Sequence, residues 1–120
     1  FFNRGLFSKT EKNKMIKMVK SVFTNKKLSH FYINGNNIYS EREIYLSNGN
    51  VIKPDRMILH ENNEVSILDY KTGKPKISDN NQIINYISEL EKNSYQVREA
   101  FLIYLGNKIS IIDLISTQSH

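Results

Sequence analysis

Three side chains near the middle of the sequence could together carry out hydrolytic chemistry. Asp69 and Lys71 stand two residues apart in the string LDYKTG, and Asp55 follows Pro54 a short way upstream. Two carboxylates held close together repel each other unless a positive charge lies between them. Hard cations such as Mg²⁺ take oxygen ligands, often one or two carboxylates together with substrate phosphate. We therefore predict that Asp55 and Asp69 bind Mg²⁺ or Mn²⁺.

The lysine beside this predicted metal site has a distinct role. A metal ion between two carboxylates can polarise a phosphoryl oxygen and generate hydroxide from bound water. A neighbouring ammonium group can orient that water or stabilise the negative charge that develops. Either segment alone is more typical of a surface Asp–Lys pair or a Pro-Asp turn. The hypothesis therefore requires that Lys71, Asp69 and Asp55 meet in the fold.

Two predicted strands position these three residues. The apolar run at 65–68 ends in a Thr-Gly turn signal, and the preceding run at 51–60 is joined to it by a hairpin-type connection at 61–64. Because side chains alternate along a strand, Asp69 and Lys71 are expected on one side. Proline cannot donate to a strand ladder, so Pro54 predicts a bulge, a bend or a sheet edge beside Asp55.

The remaining hydrophobic pattern predicts an α/β fold with a mixed sheet flanked by helices. One helix is expected over about 10–24, with a capping box from Ser8 to Glu11, and a second to about residue 93, capped by Ser78 or Asp79. Further strands are expected at 30–33, 38–46, 100–105 and 108–115, the third of them buried on both faces. The predicted buried stripe of the second helix consists of Ile83, Ile84, Ile87 and Leu90.

The amino-acid composition excludes several kinds of site and favours one kind of partner. The 120 residues are expected to form one domain, and the absence of cysteine excludes disulfides, zinc–thiolate sites and a cysteine-ligated iron–sulfur cluster. Lack of cysteine is compatible with a cytoplasmic protein, and no apolar run long enough for a membrane span is present. The net charge of +5 favours a polyanion such as DNA, although mild basicity also serves solubility. The lysines of the first helix are more typical of a solvated face than of a DNA contact.

The motifs resemble those of a known nuclease family. Pro54 with Asp55, the DYK string at 69–71, and Gln82 with Tyr86 on the next helix are similar to the motifs of PD-(D/E)XK nucleases. Within that family the RecB-like branch, at the C-terminal end of UvrD-type helicase–nucleases of the RecB and AddA kind, resembles residues 41–106. The resemblance implies a restriction-endonuclease-like core and a Mg²⁺-dependent DNA exonuclease that acts in DNA recombination and repair. It also implies a helicase portion in the same polypeptide, of which residues 1–120 would be a C-terminal piece.

The resemblance assigns roles to individual residues. It implies that Asp55 and Asp69 ligate the metal, that Lys71 assists the water, and that Gln82 and Tyr86 lie over the site. The family usually adds an acid on the strand before the Pro-Asp segment, for which Glu41 is preferred and Glu43 stays open. Relatives often add a histidine from an upstream helix, which is expected before Phe1. Lys53 and Lys74 are predicted contacts to the DNA backbone.

Two other functions are compatible with the sequence. One is a catalytically inactive DNA-binding or scaffold domain of the same fold, against which the three intact residues Asp55, Asp69 and Lys71 argue. The other is a small protein-interaction module in which the DYK string is coincidental. In such a module no carboxylate cluster would form in the structure.

Overall fold

A computed structural model describes residues 9–33, 37–106 and 108–115, without the side chain of Met15. The chain divides into two compact units, Phe1–Ile33 and Asn34–His120. That residues 1–120 make one domain stays a prediction. The expected Ser8 cap lies outside the described residues.

The first unit consists of a helix and a short helical turn. Helix α1 spans Lys9–Thr24, which confirms the predicted helix, and a 3₁₀-helix follows at Ser29–Phe31. The strand predicted at 30–33 is wrong. The N–H of Phe31 donates to the Leu28 carbonyl at 2.9 Å, so the backbone closes a local turn instead of pairing with a strand.

The second unit is a mixed α/β structure, as predicted. Its sheet has five strands in the order β1-β4-β5-β6-β7, and strands β2 and β3 form a separate antiparallel pair. Strands β5 and β6 run parallel, and helix α2 connects them, while the other neighbours are antiparallel. The elements are β1 Ile38–Ser40, β2 Ile44–Tyr45, β3 Val51–Ile52, β4 Arg56–Leu59, β5 Glu64–Thr72, α2 Ile77–Lys92, β6 Gln96–Leu105 and β7 Ile109–Asp113.

Two predicted strands are each divided in the structure. The expected strand at 38–46 becomes β1 and β2, because Glu41 adopts a φ of 48°, which ends the alternation of side chains. The expected strand at 51–60 becomes β3 and β4, and the interruption includes Pro54, where a bulge, a bend or a sheet edge was predicted. The predicted hairpin between β4 and β5 is confirmed, and the His60 N–H donates to the Glu64 carbonyl at 2.7 Å.

Helix α2 corrects two further expectations. Neither Ser78 nor Asp79 caps it, since Lys76 occupies the N-cap position without a side-chain hydrogen bond. The predicted buried stripe holds for three residues, but 40% of Ile84 is exposed. A helix turns by about 100° per residue, so the buried residues lie within about 60° of one another around the helix axis. Ile84 lies about 60° beyond the edge of that stripe. Those buried positions are Ile83, Ile87 and Leu90.

The core of the second unit lies between α2 and the sheet. Ala100 to Leu105 of β6 are all buried, which confirms the expectation of burial on both faces. The core cluster joins the buried residues of α2 to one face of β5 and β6 and to Leu46 and Ile52 of the β2–β3 hairpin. No helix in the described ranges is both long and apolar enough to span a membrane.

Candidate active site

The structure brings Asp55 and Asp69 together at the junction of β4 and β5. These strands pair antiparallel with Arg56 opposite Leu68, so the next step of the register places the two acids level with each other. The Asp55 N–H donates to Asp69 Oδ1 at 2.7 Å, and the Tyr70 N–H donates to Asp55 Oδ2 at 2.8 Å. Each carboxylate is thus held by the backbone beside the other.

The break between β3 and β4, which contains Pro54, leaves the Asp55 N–H available for this contact. The buried Pro54 carries no N–H and lies in the gap between the end of β3 and the start of β4. The Asp55 N–H therefore donates to a side chain, whereas an N–H within a strand would donate to a ladder carbonyl. The Asp55 carbonyl meanwhile accepts the Glu41 N–H at 2.9 Å, which ties the end of β1 to this segment.

The carboxyl group of Asp69 is buried, and its charged form is disfavoured. Only 4% of this residue is exposed, and burial raises its pKa from 3.8 to about 6. The Asp55 charge raises the pKa further, while the Asp55 N–H and the Lys71 ammonium oppose the shift. Because a second negative charge is disfavoured in this position, a bound cation would be favoured.

Helix α2 supplies a chain of hydrogen bonds beside the acid pair. Lys71 Nζ donates to Gln82 Oε1 at 2.6 Å, and Gln82 Nε2 donates to the Tyr86 hydroxyl at 3.3 Å. The Lys53 backbone lies near that hydroxyl and opposes any rise in its pKa. Burial raises the pKa of Tyr86, and the nearby charge of Asp69 adds to the shift. The predicted companions of the lysine are therefore adjacent to it in the fold.

Within the described part of the chain, the structure does not place the carboxylate of either candidate for the additional acid, Glu41 or Glu43, in a metal-binding group. The Glu41 backbone lies against Asp55, whereas the exposed Glu43 carboxylate accepts a hydrogen bond from the Tyr45 hydroxyl at 2.6 Å. Across the residues that the structure describes, no three His, Asp or Glu side chains lie close enough to hold a metal ion together. The site is thus a pair of carboxylates. The backbone of Glu41 contacts the Asp55 segment, but its carboxylate does not join the pair to make a group of three.

The other predicted contacts lie at the margins of the second unit. Lys53 and Lys74 are both exposed, and Lys74 lines an open groove of about 500 Å³ together with Tyr104 and Lys108. His60 follows β4 at the end opposite Asp55, where its Nε2 lies 2.7 Å from Ser66 Oγ. This histidine is therefore not part of the site.

The sequence analysis did not predict a group of hydrogen bonds between the end of α2 and the β2–β3 turn. Glu89 is only 8% exposed and accepts hydrogen bonds from Asn48 Nδ2 at 3.0 Å and Asn50 Nδ2 at 2.8 Å. Asn93 adds a contact by accepting the Ser47 N–H at 2.9 Å. These bonds fasten the β2–β3 turn to α2, and β3 leads directly into the Asp55 segment. The available signal was that Glu89 shares a helical stripe with Gln82 and Tyr86.

Comparison with known proteins leaves the family open. No family model matches the chain, and no curated protein matches it. Among solved structures, the crystal structure of SSO0001 is similar with 16% sequence identity and a TM-score of 0.46, over 86% of this chain and 49% of that chain. This chain therefore spans about half the length of that protein. Neither a fold family nor a function follows from similarity at this level.

Proposed function

We propose that this chain is a metal-dependent DNA exonuclease domain of the PD-(D/E)XK type, with a restriction-endonuclease-like core and with Mg²⁺ or Mn²⁺ as its cofactor. The observation that supports the proposal most directly is the contact between the Asp55 and Asp69 segments, with Lys71 next to them on β5. Phosphodiester hydrolysis requires oxygen ligands for a hard cation and a positive group near the attacking water. This triad supplies both.

The chemistry of the donor set fits a divalent cation. Asp55 and Asp69 provide carboxylate oxygens, and the raised pKa of the buried Asp69 indicates that the Asp55 N–H and the Lys71 ammonium compensate its charged form only in part. Since Mg²⁺ usually keeps several waters and binds through one or two carboxylates plus phosphate, two acids are sufficient. When bound, the cation supplies a polarised phosphoryl oxygen and a water of lowered pKa.

The residues of the chain itself position and stabilise the reacting groups. Lys71 donates one N–H to Gln82, and an ammonium group has two further donors for a water or a phosphate oxygen. Gln82 is in turn held by Tyr86, so the ammonium occupies one position beside the acids. Such preorganised charge stabilises developing negative charge without reorganisation during the reaction.

The proposal includes the cellular context that the sequence motifs imply. The domain would belong to a larger cytoplasmic helicase–nuclease and would act on DNA in recombination and repair. The second candidate is a catalytically inactive DNA-binding domain of the same fold. It is favoured by one observation, namely that only two acids converge in the described part of the chain.

Cleavage of end-labelled linear DNA tests the proposal. The chain, an Asp69→Asn variant and a Glu91→Gln variant are incubated with DNA and Mg²⁺ or Mn²⁺, with EDTA as a blank. Glu91 is an exposed acid on α2 and serves as the matched control. We expect degradation by the chain and by the control, and none by Asp69→Asn or in EDTA. DNA that is bound but not cut supports the second candidate, and DNA that is neither bound nor cut contradicts both.

A further inference from the structure

The positive charge of this protein is concentrated in its first unit. Residues 1–33 contain eight lysines and arginines and one acid, a net charge of +7. Residues 34–120 contain nine basic and eleven acidic residues, a net charge of −2. The unit that contains the two aspartates thus carries a slight excess of acid, and the net positive charge that would attract a polyanion at long range lies in the first unit.

Helix α1 presents much of this charge on one side. A turn of about 100° per residue places its lysines on an arc opposite the buried Val22. All of them are exposed except Lys12, which is half-buried. Within 9–33, 37–106 and 108–115, no acid forms a salt bridge with any of them. This basic face consists of Lys9, Lys12, Lys14, Lys17 and Lys20.

We propose that the basic face of α1 binds the phosphate backbone of DNA without regard to base sequence. The proposal rests on the proposed nuclease function and names the surface that holds its substrate. From Lys9 to Lys20 the helix extends about 16 Å, at about 1.5 Å per residue. One DNA strand presents about five phosphates over that length, at about 3.4 Å each. Around the helix Lys9, Lys17 and Lys20 lie within about 80° of one another, with Lys12 and Lys14 on either side of them, so the basic face has the charge and the length to contact a short stretch of backbone.

The side chains on the face determine the kind of recognition. Lysine is a compact charge with rotatable donors, which suits phosphate but carries little base information. An anionic membrane surface is the other polyanion that a basic helix could bind, but such a helix also inserts a broad apolar face. In α1 only 2% of Val22 is exposed, whereas Ile16 and Phe23 are 41% and 46% exposed. Two partly exposed apolar side chains do not make the broad apolar face that a membrane-inserting helix needs, whereas five lysines supply the charge that a phosphate backbone attracts, so the composition of this surface favours nucleic acid.

Salt-dependent DNA binding in EDTA tests the proposal without any need for cleavage. The full chain is compared with a triple variant, Lys14→Gln, Lys17→Gln and Lys20→Gln, and with the matched triple Lys→Arg variant, which keeps the charge. Glutamine and lysine have similar helix propensity, so α1 is expected to persist, and circular dichroism verifies this. Anisotropy of a labelled DNA duplex is recorded over a range of salt concentrations.

The expected result is specific to the lost charges. The Gln variant should bind about tenfold or more weakly at low salt, and its slope of log K against log salt should be smaller by about 2 to 3, at about 0.9 per phosphate contact. The Arg variant should bind like the original chain. Unchanged affinity and slope in the Gln variant overturn the proposal. So does lysine-dependent binding to phosphatidylserine vesicles in the absence of binding to DNA.

The outcome is separable from that of the nuclease proposal. If the Gln variant binds DNA normally while Asp69→Asn abolishes cleavage, the nuclease function stands and the basic face is not its DNA surface. If the lysines determine DNA binding but the original chain never cleaves DNA, the basic face stands and the nuclease proposal fails.

Discussion

The backbone N–H of Asp55 donates a hydrogen bond to the carboxylate of Asp69 at 2.7 Å, across 14 residues of sequence. The reciprocal bond, from the Tyr70 N–H to the Asp55 carboxylate, measures 2.8 Å. The two acids are thus locked crosswise by the backbone and need no cation to stay together. Because Asp69 is buried, its negative charge beside Asp55 is unfavourable. Protonation of Asp69 or binding of a cation would lower that unfavourable energy.

Asp69→Asn should stabilise the metal-free protein above about pH 7. Burial raises the pKa of Asp69 from 3.8 to about 6 on folding, so the folded state binds the proton more tightly than the unfolded state. The resulting stability is fully present below pH 3.8 and is lost as the pH rises through about 6, by at most about 3 kcal/mol at about 1.4 kcal/mol per pKa unit. Urea unfolding in EDTA between about pH 4 and pH 8 measures this loss. Parallel pH profiles for the variant and the original chain would contradict the buried, raised carboxyl.

Divalent-metal binding should require both acids. Titration calorimetry with Mn²⁺ is expected to show heat for the original chain and little or none for Asp55→Asn or Asp69→Asn, because each variant removes one charged ligand. Binding should weaken below about pH 6, where a proton competes for Asp69. Glu43→Gln is the matched control, since its carboxylate already accepts the Tyr45 hydroxyl. Equal heats for the chain and for Asp69→Asn would exclude Asp69 as a ligand.

Lys71→Ala should reduce DNA cleavage while leaving DNA binding nearly intact. Loss of one preorganised electrostatic group typically lowers the rate by about 10² to 10³. A lost phosphate contact would instead weaken binding modestly and reduce the salt slope by about one. The exposed Lys53, changed to alanine, is the comparison for that second behaviour. If binding and cleavage decline in parallel in Lys71→Ala, the residue holds phosphate and is not catalytic.

Gln82→Ala should act through Lys71. The variant removes the acceptor that lies 2.6 Å from Lys71 Nζ, so the ammonium loses its fixed position. We expect kcat to fall by about tenfold with KM for DNA little changed, because one charge-assisted hydrogen bond is worth about 1.5–3 kcal/mol and only part of it concerns positioning. Asn81→Ala, at an exposed neighbouring position of α2, is the control. A raised KM with unchanged kcat would show that Gln82 contacts the substrate instead.

Glu89→Gln should loosen the β2–β3 hairpin. Hydrogen bonds from Asn50 and Asn48 hold the pKa of Glu89 below its ordinary value of 4.5. The folded state therefore favours the charged form, and this stability is present above pH 4.5 and lost as the pH falls through the lower folded pKa. Hydrogen exchange at the Leu46 and Gly49 N–H groups, which bond across the hairpin turn, should become faster. Glu91→Gln, on the exposed face of α2, should leave this exchange unchanged.

Local patterns were sufficient for the long elements. Helices α1 and α2, strand β5 and the part of β6 at 100–105 follow from apolar spacing, because periods of 3.6 and 2 reflect which side of an element is buried. Strand β6 begins at Gln96, four residues before the predicted strand. The same reasoning failed for short or weakly patterned segments. The apolar stretch at 30–33 has no strand partner and closes a turn, and Ile84 lies beside the buried stripe instead of on it.

Some of the relations between the predicted site residues follow from local patterns. Alternation along β5 and the short hairpin to β4 imply that Asp69 and Lys71 share a side and that Asp55 lies across from them. The helical spacing of Gln82 and Tyr86 implies that they lie on one stripe. These relations depend on strand and helix geometry alone, whereas the position of Gln82 and Tyr86 over the site was expected from the resemblance to PD-(D/E)XK nucleases.

Only the tertiary structure decided what surrounds that set. The positive φ of Glu41 separates it from Glu43, which a continuous strand would have kept on the same side. The raised pKa of Asp69 follows from burial, and the contact of Glu89 with the Asn48 and Asn50 amides spans about forty residues of chain. Desolvation and long-range hydrogen bonds depend on which segments pack together in space, and no local pattern in the sequence contains that information.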